Sequence, residues 1–189
     1  SGKKTTAYWF REPVGVVACI TPFNFPLNLV AHKVAPALVS GNAVVLKPTP
    51  EAPLTAYKFI KLFIESEYAI KDAISLVYGD VEVGSTLVES MIPRVLSFTG
   101  SVPVGNIITK SAGIKKVALE LGGNAATFID KSADLELAAQ RCAFGAFVNS
   151  GQVCISLQRI YVAEEVYEEF AKLMKIETEK LVVGSPYND

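Results

Sequence analysis

Residues 14–20 read Val-Gly-Val-Val-Ala-Cys-Ile, a short apolar run whose β-branched side chains are typical of a buried strand. Pro26 then begins an amphipathic helical pattern that extends to about Ser40. Gly41 ends that helix, and residues 42–47 predict a second strand. Strand, helix and strand in this order predict two parallel strands joined by a crossover helix.

The same alternation continues along the chain. Further helices and strands are predicted at residues 53–63, 75–78, 81–90, 95–99, 101–111 and 115–121. This pattern predicts an α/β fold, with a parallel sheet that carries helices on both faces. Such sheets bind ligands beyond the carboxyl ends of their strands.

A second unit begins after Gly122-Gly123. Its predicted strands and helices occupy residues 125–129, 134–148, 159–163 and a stretch from 166 onward. This unit is too short to close a domain by itself. We therefore expect one domain over residues 1–121 and the first part of another over 122–189.

Composition argues against several classes of function. The 18 basic and 19 acidic residues nearly balance, which disfavours a nucleic-acid-binding surface. No apolar stretch approaches the ~18–20 residues of a membrane-spanning helix. The three cysteines follow neither metal nor disulfide spacing, which favours a reducing, cytoplasmic compartment. The high mean hydropathy of +0.33 indicates either a large core or a surface that another domain or subunit covers.

Cys154 is the cysteine whose surroundings indicate a chemical role. It follows Asn149-Ser-Gly-Gln-Val, which predicts a loop that exposes the thiol. The alternative is a buried cysteine that acts as a small hydrophobe. We assign that role to Cys19, inside a strand, and to Cys142, on an apolar helix face. From spacing alone, both interpretations of Cys154 stay open.

A cysteine nucleophile of the protease type needs a histidine partner. The single histidine, His32, lies in a predicted helix, where a helix-face or core position is favoured. An acid–base group would therefore be a carboxylate or a lysine. Glu120 is a candidate because it ends an apolar strand, where a carboxylate is costly unless it is paired or functional. A strand end that points to solvent is the alternative.

Three further segments allow both a binding and a structural interpretation. Gly100 and Gly105 would let the backbone approach a phosphate at a helix N-terminus, or would simply form a turn. Lys47 ends a strand and would face the ligand crevice, or would be a solvated strand end. Asn24 lies between two phenylalanines after the first strand, where turn geometry also favours asparagine.

Taken together and in order, six segments resemble the aldehyde dehydrogenase superfamily. They are Glu12-Pro-Val-Gly-Val-Val17, Ile20-Thr-Pro-Phe-Asn-Phe-Pro26, Val45-Leu-Lys-Pro48, Phe98-Thr-Gly-Ser101 with Gly105, Leu119-Glu-Leu-Gly-Gly123 and Gly151-Gln-Val-Cys154. They span nearly the whole chain, and their order and gaps are far more specific than any one of them. The resemblance implies a Rossmann-like, cofactor-binding sheet followed by the start of an α/β catalytic domain.

The resemblance implies that an aldehyde is oxidised to a carboxylic acid, with NAD or NADP as the hydride acceptor. Cys154 would attack the aldehyde to give a thiohemiacetal and then a thioester. Glu120 would activate the hydrolytic water, and Asn24 would donate a hydrogen bond to the oxyanion. No metal ion is implied, and the other cysteines and the histidine keep their structural interpretation.

The resemblance also implies a dinucleotide site in the first domain. Lys47 matches the family lysine that binds the adenosine ribose, and Ser101 lies at the helix entry that binds pyrophosphate. The backbone of residues 20–23 would line the nicotinamide half. The full set of expected cofactor contacts is Ile20, Thr21, Pro22, Phe23, Lys47, Thr49, Gly84, Phe98, Gly100, Ser101, Gly105 and Leu121.

One departure from the family pattern bears on cofactor choice. Members that prefer NAD often carry a glutamate three residues after the lysine, where this chain has Pro50. A carboxylate at that position would repel a 2′-phosphate, and proline cannot. Glu51 comes one place too late to substitute for it. We therefore expect NADP to be accepted, with Lys47 and Thr49 as phosphate contacts.

Complete members of the superfamily are more than twice as long, so we interpret the chain as a central fragment. The full-length protein is expected to be a homodimer or homotetramer that acts on a small aldehyde, without a nucleic-acid or membrane partner. Residues 21–28 with 31–33 look most like the branch that acts on lactaldehyde, glyceraldehyde or similar short hydroxyaldehydes. The alternative is a catalytically inactive dinucleotide-binding module of the same fold.

Overall fold

The computed structural model describes residues 5–185 and 187. The chain divides after Leu121 into two compact units. The strands of the first unit are β1 (Val16–Ile20), β2 (Ala43–Lys47), β3 (Ile74–Leu76), β4 (Val95–Thr99) and β5 (Lys116–Glu120). Its helices are α1 (Asn28–Val39), α2 (Pro53–Glu65), α3 (Val81–Glu89) and α4 (Val102–Ser111). The second unit contains β6 (Ala125–Ile129), α5 (Leu135–Phe147), β7 (Leu157–Val162) and α6 (Tyr167–Glu179).

The five strands of the first unit form one parallel sheet in the order β3-β2-β1-β4-β5, which confirms the predicted fold class. The chain first builds outward from β1 to β3, and then crosses to the other side of β1 with β4. A ligand crevice forms at the carboxyl ends of the two strands where the order reverses. Ile20 of β1 pairs with both Lys47 of β2 and Phe98 of β4, so three expected cofactor residues lie at one level of this edge.

Helices cover both faces of this sheet. Successive residues of a strand point to opposite sides, so the central strands contribute side chains to two separate cores. One core joins β1, β2 and β3 to α1 and α2, through Val17, Cys19, Val30, Val34, Ala37, Val44, Leu46, Ala56, Ile60 and Ile74. The other core joins β1 and β4 to α3 and α4, through Ala18, Val88, Leu96, Phe98, Ile108 and Ala112. Each buried aliphatic side chain contributes about 1.5–3 kcal/mol, and together they fix the strand ends that carry the site.

Asn42 ties the beginning of β1 to the end of α1. Its Oδ1 accepts hydrogen bonds from the backbone N–H groups of Val14 (2.6 Å) and Gly15 (3.1 Å), and its Nδ2 donates to the carbonyl of Ala37 (3.1 Å). The side chain is buried, so these bonds satisfy an amide that would otherwise be costly. The first strand is thereby held in place beside the second.

In the second unit, β6 and β7 form a two-stranded parallel sheet. One face packs on α5 and α6, and the buried members of that core are Ile129, Ala139, Cys142 and Phe170. Asp134 caps α5, because its Oδ1 accepts the N–H of Leu137 at 3.0 Å. The opposite face exposes Phe128 and Tyr161, whose rings stack with centroids 5.1 Å apart.

The predicted elements are confirmed, with shifts at their ends. β3 covers Ile74–Leu76 instead of 75–78, and β7 begins at Leu157 instead of 159. The helix expected from Pro26 begins at Asn28, because the preceding residues form a turn. Within the described residues, no helix is both long and apolar enough to cross a membrane.

Candidate active site

The loop that carries Cys154 has a strained backbone. After α5 the chain makes a short 3₁₀ turn in which Asn149 (φ 54°), Ser150 (φ 57°) and Gly151 (φ 72°) all adopt left-handed conformations. Non-glycine residues in this region cost free energy, and such strain is concentrated at functional sites. Cys154 follows this turn by three residues and is exposed.

Two contacts hold this loop against the rest of the second unit. Ser156 is buried, and its hydroxyl donates to the carbonyl of Ala146 at 3.0 Å. Gly123 lies close to the backbone of Cys154. A Cβ added to Gly123 would be only 2.6 Å from the backbone oxygen of Cys154. A side chain at Gly123 would therefore push the cysteine backbone away. The glycine at the end of the Leu119–Gly123 segment is explained by this close approach.

The three cysteines differ in their surroundings. Cys19 is fully buried in β1, and burial raises the pKa of its thiol to about 12, although the nearby Lys33 ammonium opposes that rise. Burial also raises the pKa of Cys142 in α5. Cys154 is exposed. A thiol must be both accessible and deprotonated to act as a nucleophile, so Cys19 and Cys142 are unsuited to that role.

Glu120 is the last residue of β5, at the carboxyl edge of the parallel sheet. Its Cα pairs with that of Thr99, and its backbone carbonyl accepts the N–H of Gly100 at 3.0 Å. The strand backbone is therefore fixed, while the side chain is exposed. Glu120 and Asn24 lie at the same edge of one sheet, and Cys154 belongs to the second unit.

Asn24 lies between β1 and α1. The helical hydrogen bonds begin directly after it, because the N–H of Leu29 donates to the carbonyl of Phe25 at 2.9 Å. Asn24 lines an open, largely apolar groove of about 570 Å³, together with Phe25, Pro26, Leu27, Asn28, Ala31 and Phe59. An amide at the end of an apolar groove can orient a polar ligand atom while the walls contact its carbon chain.

Lys33 is a buried cation that sequence analysis did not single out. Its side chain lies on the sheet-facing side of α1, and its Nζ donates to the Ser97 hydroxyl of β4 at 3.0 Å. Burial lowers the pKa of Lys33, although charge interactions with Cys19 and Glu120 oppose this. The sequence did carry a signal for its burial, because Lys33 falls on the same helix face as the apolar residues 30, 34 and 37.

A second cavity, of about 330 Å³, opens at the carboxyl ends of β1, β2 and β4. Four of the expected cofactor residues line it, namely Ile20, Lys47, Gly84 and Phe98. The aliphatic part of Lys47 lies over Gly84, where a Cβ would be 3.7 Å from Cε, so glycine leaves room beside the lysine. The remaining walls are mainly apolar side chains of α3 and α4, which suits a flat aromatic base.

Carboxylates lie near Lys47, which lines this cavity. Burial lowers the pKa of Lys47, and charge interactions with Asp80 and Glu51 oppose that change. Asp80 also lines the cavity and was missed from sequence, although it immediately precedes α3 as a capping residue would. The Thr49 hydroxyl donates to the Glu51 carboxylate, which lowers the pKa of Glu51.

Two buried hydroxyls at the same edge fit a polar ligand. The Oγ1 atoms of Thr21 and Thr99, which follow β1 and end β4, have no hydrogen-bond partner among the described residues. Unsatisfied buried polar atoms are uncommon in folded proteins and call for a partner. A dinucleotide is rich in donors and acceptors, so these residues fit its presence.

The glycines of the 100–105 turn act mainly through packing. A Cβ on Gly100 would collide with the ring of Phe98 at 2.4 Å, and one on Gly105 would lie 2.7 Å from the side chain of Leu121. Ser101 precedes α4, and its side chain makes no capping hydrogen bond. Pro22 and Phe23 extend from β1 beside Thr21, with the Phe23 ring about half exposed.

The whole sequence, residues 1–189, matches the aldehyde dehydrogenase family. The chain belongs to this family. It is 48% identical over 184 residues to the 3-sulfolactaldehyde dehydrogenase of Priestia aryabhattai, covering 97% of this chain and 38% of that protein. It is 49% identical over 183 residues to the lactaldehyde dehydrogenase of Methanococcus vannielii, covering 95% and 39%.

Among solved structures, this aldehyde dehydrogenase segment resembles the glyceraldehyde-3-phosphate dehydrogenase GapN of Methanocaldococcus jannaschii, complexed with NADP. The TM-score is 0.90 at 42% identity, over 95% of this chain and 40% of that one. The chain therefore spans about two fifths of the length of these relatives. The family resemblance, including its lactaldehyde and glyceraldehyde branch, is confirmed, and the roles of individual residues stay predictions.

Proposed function

We propose that the protein containing this segment oxidises a short aldehyde to a carboxylic acid with NAD(P) as the hydride acceptor. The observation that carries the proposal is an exposed thiol, Cys154, on a strained and anchored loop in a member of the aldehyde dehydrogenase family. In this proposal, residues up to Leu121 form the dinucleotide-binding unit and those from Gly122 begin the catalytic domain.

The proposed chemistry begins with the Cys154 thiolate, which attacks the carbonyl carbon. The carbonyl π electrons move to oxygen, and the thiohemiacetal oxyanion accepts a hydrogen bond from the Asn24 side chain. After oxidation to the thioester, Glu120 takes a proton from water while the water oxygen attacks the acyl carbon. The C–S bond then breaks, which releases the acid and restores the thiolate.

The proposed dinucleotide site consists of the cavity around Lys47 and Gly84 together with the hydroxyls of Thr21 and Thr99. Lys47 would bind ribose oxygens, and the apolar walls of α3 and α4 would hold the base. The twelve residues expected from the sequence to contact the dinucleotide are all part of this proposal. When bound, the dinucleotide supplies the acceptor for the hydride that leaves the thiohemiacetal carbon.

Use of NADP is supported by the residues that follow β2. Pro50 places no carboxylate beside the ribose position, and the one that follows, Glu51, is engaged by the Thr49 hydroxyl. A relative of 42% identity is a structure with NADP bound. We therefore place Lys47 and Thr49 next to the 2′-phosphate, and Thr49 would exchange its bond to Glu51 for one to phosphate.

The proposed substrates are short aldehydes with an oxygen substituent next to the carbonyl. Lactaldehyde, 3-sulfolactaldehyde and glyceraldehyde 3-phosphate are the aldehydes named for three relatives, and all share this 2-hydroxyaldehyde unit.

The full-length protein is further proposed to be a cytoplasmic homodimer or homotetramer. The free cysteines support the reducing compartment, and the mean hydropathy of +0.33 supports subunit contacts.

The test is an aldehyde panel assayed on the full-length protein with NAD and NADP side by side. The expected result is oxidation of 2-hydroxyaldehydes, detected as reduced cofactor, and no oxidation by the Cys154→Ala variant. The alternative, an inactive dinucleotide-binding module, predicts cofactor binding without turnover of any aldehyde. That result would reject the enzymatic proposal.

A further inference from the structure

We infer that Lys115 is a positioning residue for the dinucleotide, because it holds the ends of α3 and α4 at the spacing that the adenosine half of the cofactor requires. Lys115 does not line the cavity between these helices, and the proposed chemistry at the carbonyl carbon does not use it. The inference rests on the proposed function, since it takes that cavity as the dinucleotide site.

Lys115 lies in the turn that joins α4 to β5. Gly113, two residues after the helix, adopts a left-handed conformation (φ 64°), and the chain turns there toward β5. Lys115 is half-buried, and its Nζ donates to the backbone carbonyl of Val88 at 2.9 Å and to that of Ala112 at 3.1 Å. One ammonium group therefore joins the end of α3 to the end of α4.

The two carbonyls that Lys115 contacts are well suited to a cation. The last carbonyls of a helix have no partner within the helix, and the aligned peptide dipoles make this end negative. Val88 lies in the last turn of α3, and Ala112 directly follows α4. Hydrogen bonds from an ionised donor are shorter and roughly twice as strong as neutral ones. The bridge therefore restrains both helix ends.

The restrained helix ends are also walls of the cavity. Val88 of α3 lines the cavity, and so do Ile108 and Ser111 of α4. Val88, Ile108 and Ala112 also pack in one apolar cluster. Apolar contacts are not directional, whereas hydrogen bonds require a defined distance and angle. The Lys115 bridge therefore sets how far apart the two helix ends lie.

This spacing matters for a flat base that is held between two apolar walls. A gap of roughly 0.5–1 Å on one side already removes a quarter to a half of the dispersion attraction. If the helix ends separate in part of the population, only the remaining fraction binds at full affinity, and the apparent Kd rises by the inverse of that fraction. Loss of the bridge should therefore weaken binding of the adenosine half and leave the reacting groups unchanged.

The experiment measures cofactor binding separately from turnover in the full-length protein. Calorimetry gives the Kd of NAD and of NADP, and competitive inhibition gives the Ki of AMP, which represents the adenosine half alone. In Lys115→Met, all three constants should rise by a similar factor of about 10-fold or more. At saturating dinucleotide, kcat and the KM of the aldehyde should stay within about 2-fold of the wild-type values.

Three further variants serve as controls. Lys115→Arg keeps a cation with several N–H donors and should restore the affinity to within about 3-fold of wild type. Lys110→Met removes an equal charge from an exposed position in the last turn of α4, outside the cavity wall, and should change the Kd by less than about 2-fold. Circular dichroism reports folding. If Lys115→Met does not fold, Lys115→Gln, which keeps a neutral donor, should show a smaller rise in Kd.

Three outcomes would overturn the inference alone. They are an unchanged Kd in a folded Lys115 variant, an equal rise in Kd for Lys115→Met and Lys110→Met, and a loss of kcat at saturating dinucleotide without a change in Kd. In each case the wild-type protein still binds dinucleotide and oxidises aldehydes, so the proposed function stands. A wild-type protein that binds neither NAD nor NADP would overturn the proposed function together with this inference.

Discussion

Cys154 differs from the other two cysteines in exposure and in backbone conformation. Replacing it with alanine removes the only proposed nucleophile and leaves the cavity around Lys47 untouched, because that cavity belongs to the first unit. In the full-length protein, Cys154→Ala should lower kcat by roughly 10⁴-fold or more, with dinucleotide affinity within about 2-fold. Steady-state assays and cofactor titration measure the two effects, and turnover near the wild-type rate would reject the nucleophile. Cys142→Ala is the matched control for losing a thiol outside the site.

Glu120 is proposed to act after the hydride has left. Glu120→Gln keeps the size of the side chain and one acceptor oxygen but cannot accept the proton from water. The variant should therefore form reduced cofactor in a pre-steady-state burst and then turn over ~100-fold or more slowly. Stopped-flow absorbance separates the burst from the steady rate. Unchanged steady-state turnover would be incompatible with Glu120 as the base.

Gly123 and Gly122 offer a matched pair for testing the anchored loop. A Cβ at Gly123 would lie 2.6 Å from the Cys154 backbone oxygen, whereas one at Gly122 would meet nothing within 4 Å. Gly123→Ala should displace the thiol and reduce kcat/KM about 100-fold, since a shift of about 1 Å in a reacting group has that effect. Gly122→Ala should stay within about 3-fold. Equal rates for the two variants would remove the role assigned to this contact.

At the level of secondary structure, buried Lys33 links α1 to β4 through Ser97. Ser97→Ala should lower the free energy of unfolding by about 1–3 kcal/mol, because the buried ammonium loses its acceptor. In a Lys33→Met background the same change should cost less than about 0.5 kcal/mol. Chemical denaturation of the wild-type protein, the two single variants and the double variant gives the coupling free energy between Lys33 and Ser97. Ser75→Ala, at an exposed position of β3, is the control. If the effects of Ser97→Ala and Lys33→Met were additive in the double variant, the hydrogen bond between the two residues would add nothing to stability.

The elements were predictable where apolar periodicity was strong. Strand β1 and its partners follow directly from short β-branched runs. The order of the strands was not predicted, because it depends on which strands pair in the folded sheet. The ends of β3 and β7 were less predictable, because each depends on which backbone groups find a partner in the neighbouring strand. For example, Val77 still donates to Leu46 at 2.9 Å although it lies beyond β3.

The roles of some residues could not be predicted from the sequence because they depend on contacts between distant parts of the chain. Lys33 matters through Ser97, which is 64 positions away, and Gly123 through the carbonyl of Cys154. Neither contact has a local pattern, since each depends on the packing of separate elements. Asp80 had a local signal as a residue before a helix, but its position beside the Lys47 cavity required the sheet topology.

At the scale of the whole molecule, exposed apolar surface is the dominant feature. Trp9 is 78% exposed, Val39 90% and Phe128 78%. The formal net charge of -1 provides little repulsion between copies. The stacked rings of Phe128 and Tyr161 form an exposed apolar patch on β6 and β7, and such patches usually contact another surface.

The 189-residue chain expressed alone should therefore associate at micromolar concentration and oxidise aldehydes poorly. Light scattering and sedimentation velocity measure the first effect, and cofactor reduction the second. Phe128→Lys, on the exposed face of β6, should reduce the association because it places a charge beside the Tyr161 ring. Lys131→Ala, at an exposed position just after β6, is the control. A monodisperse monomer with the activity of the full-length protein would contradict the prediction, since the exposed apolar surface would then be compatible with an independent enzyme.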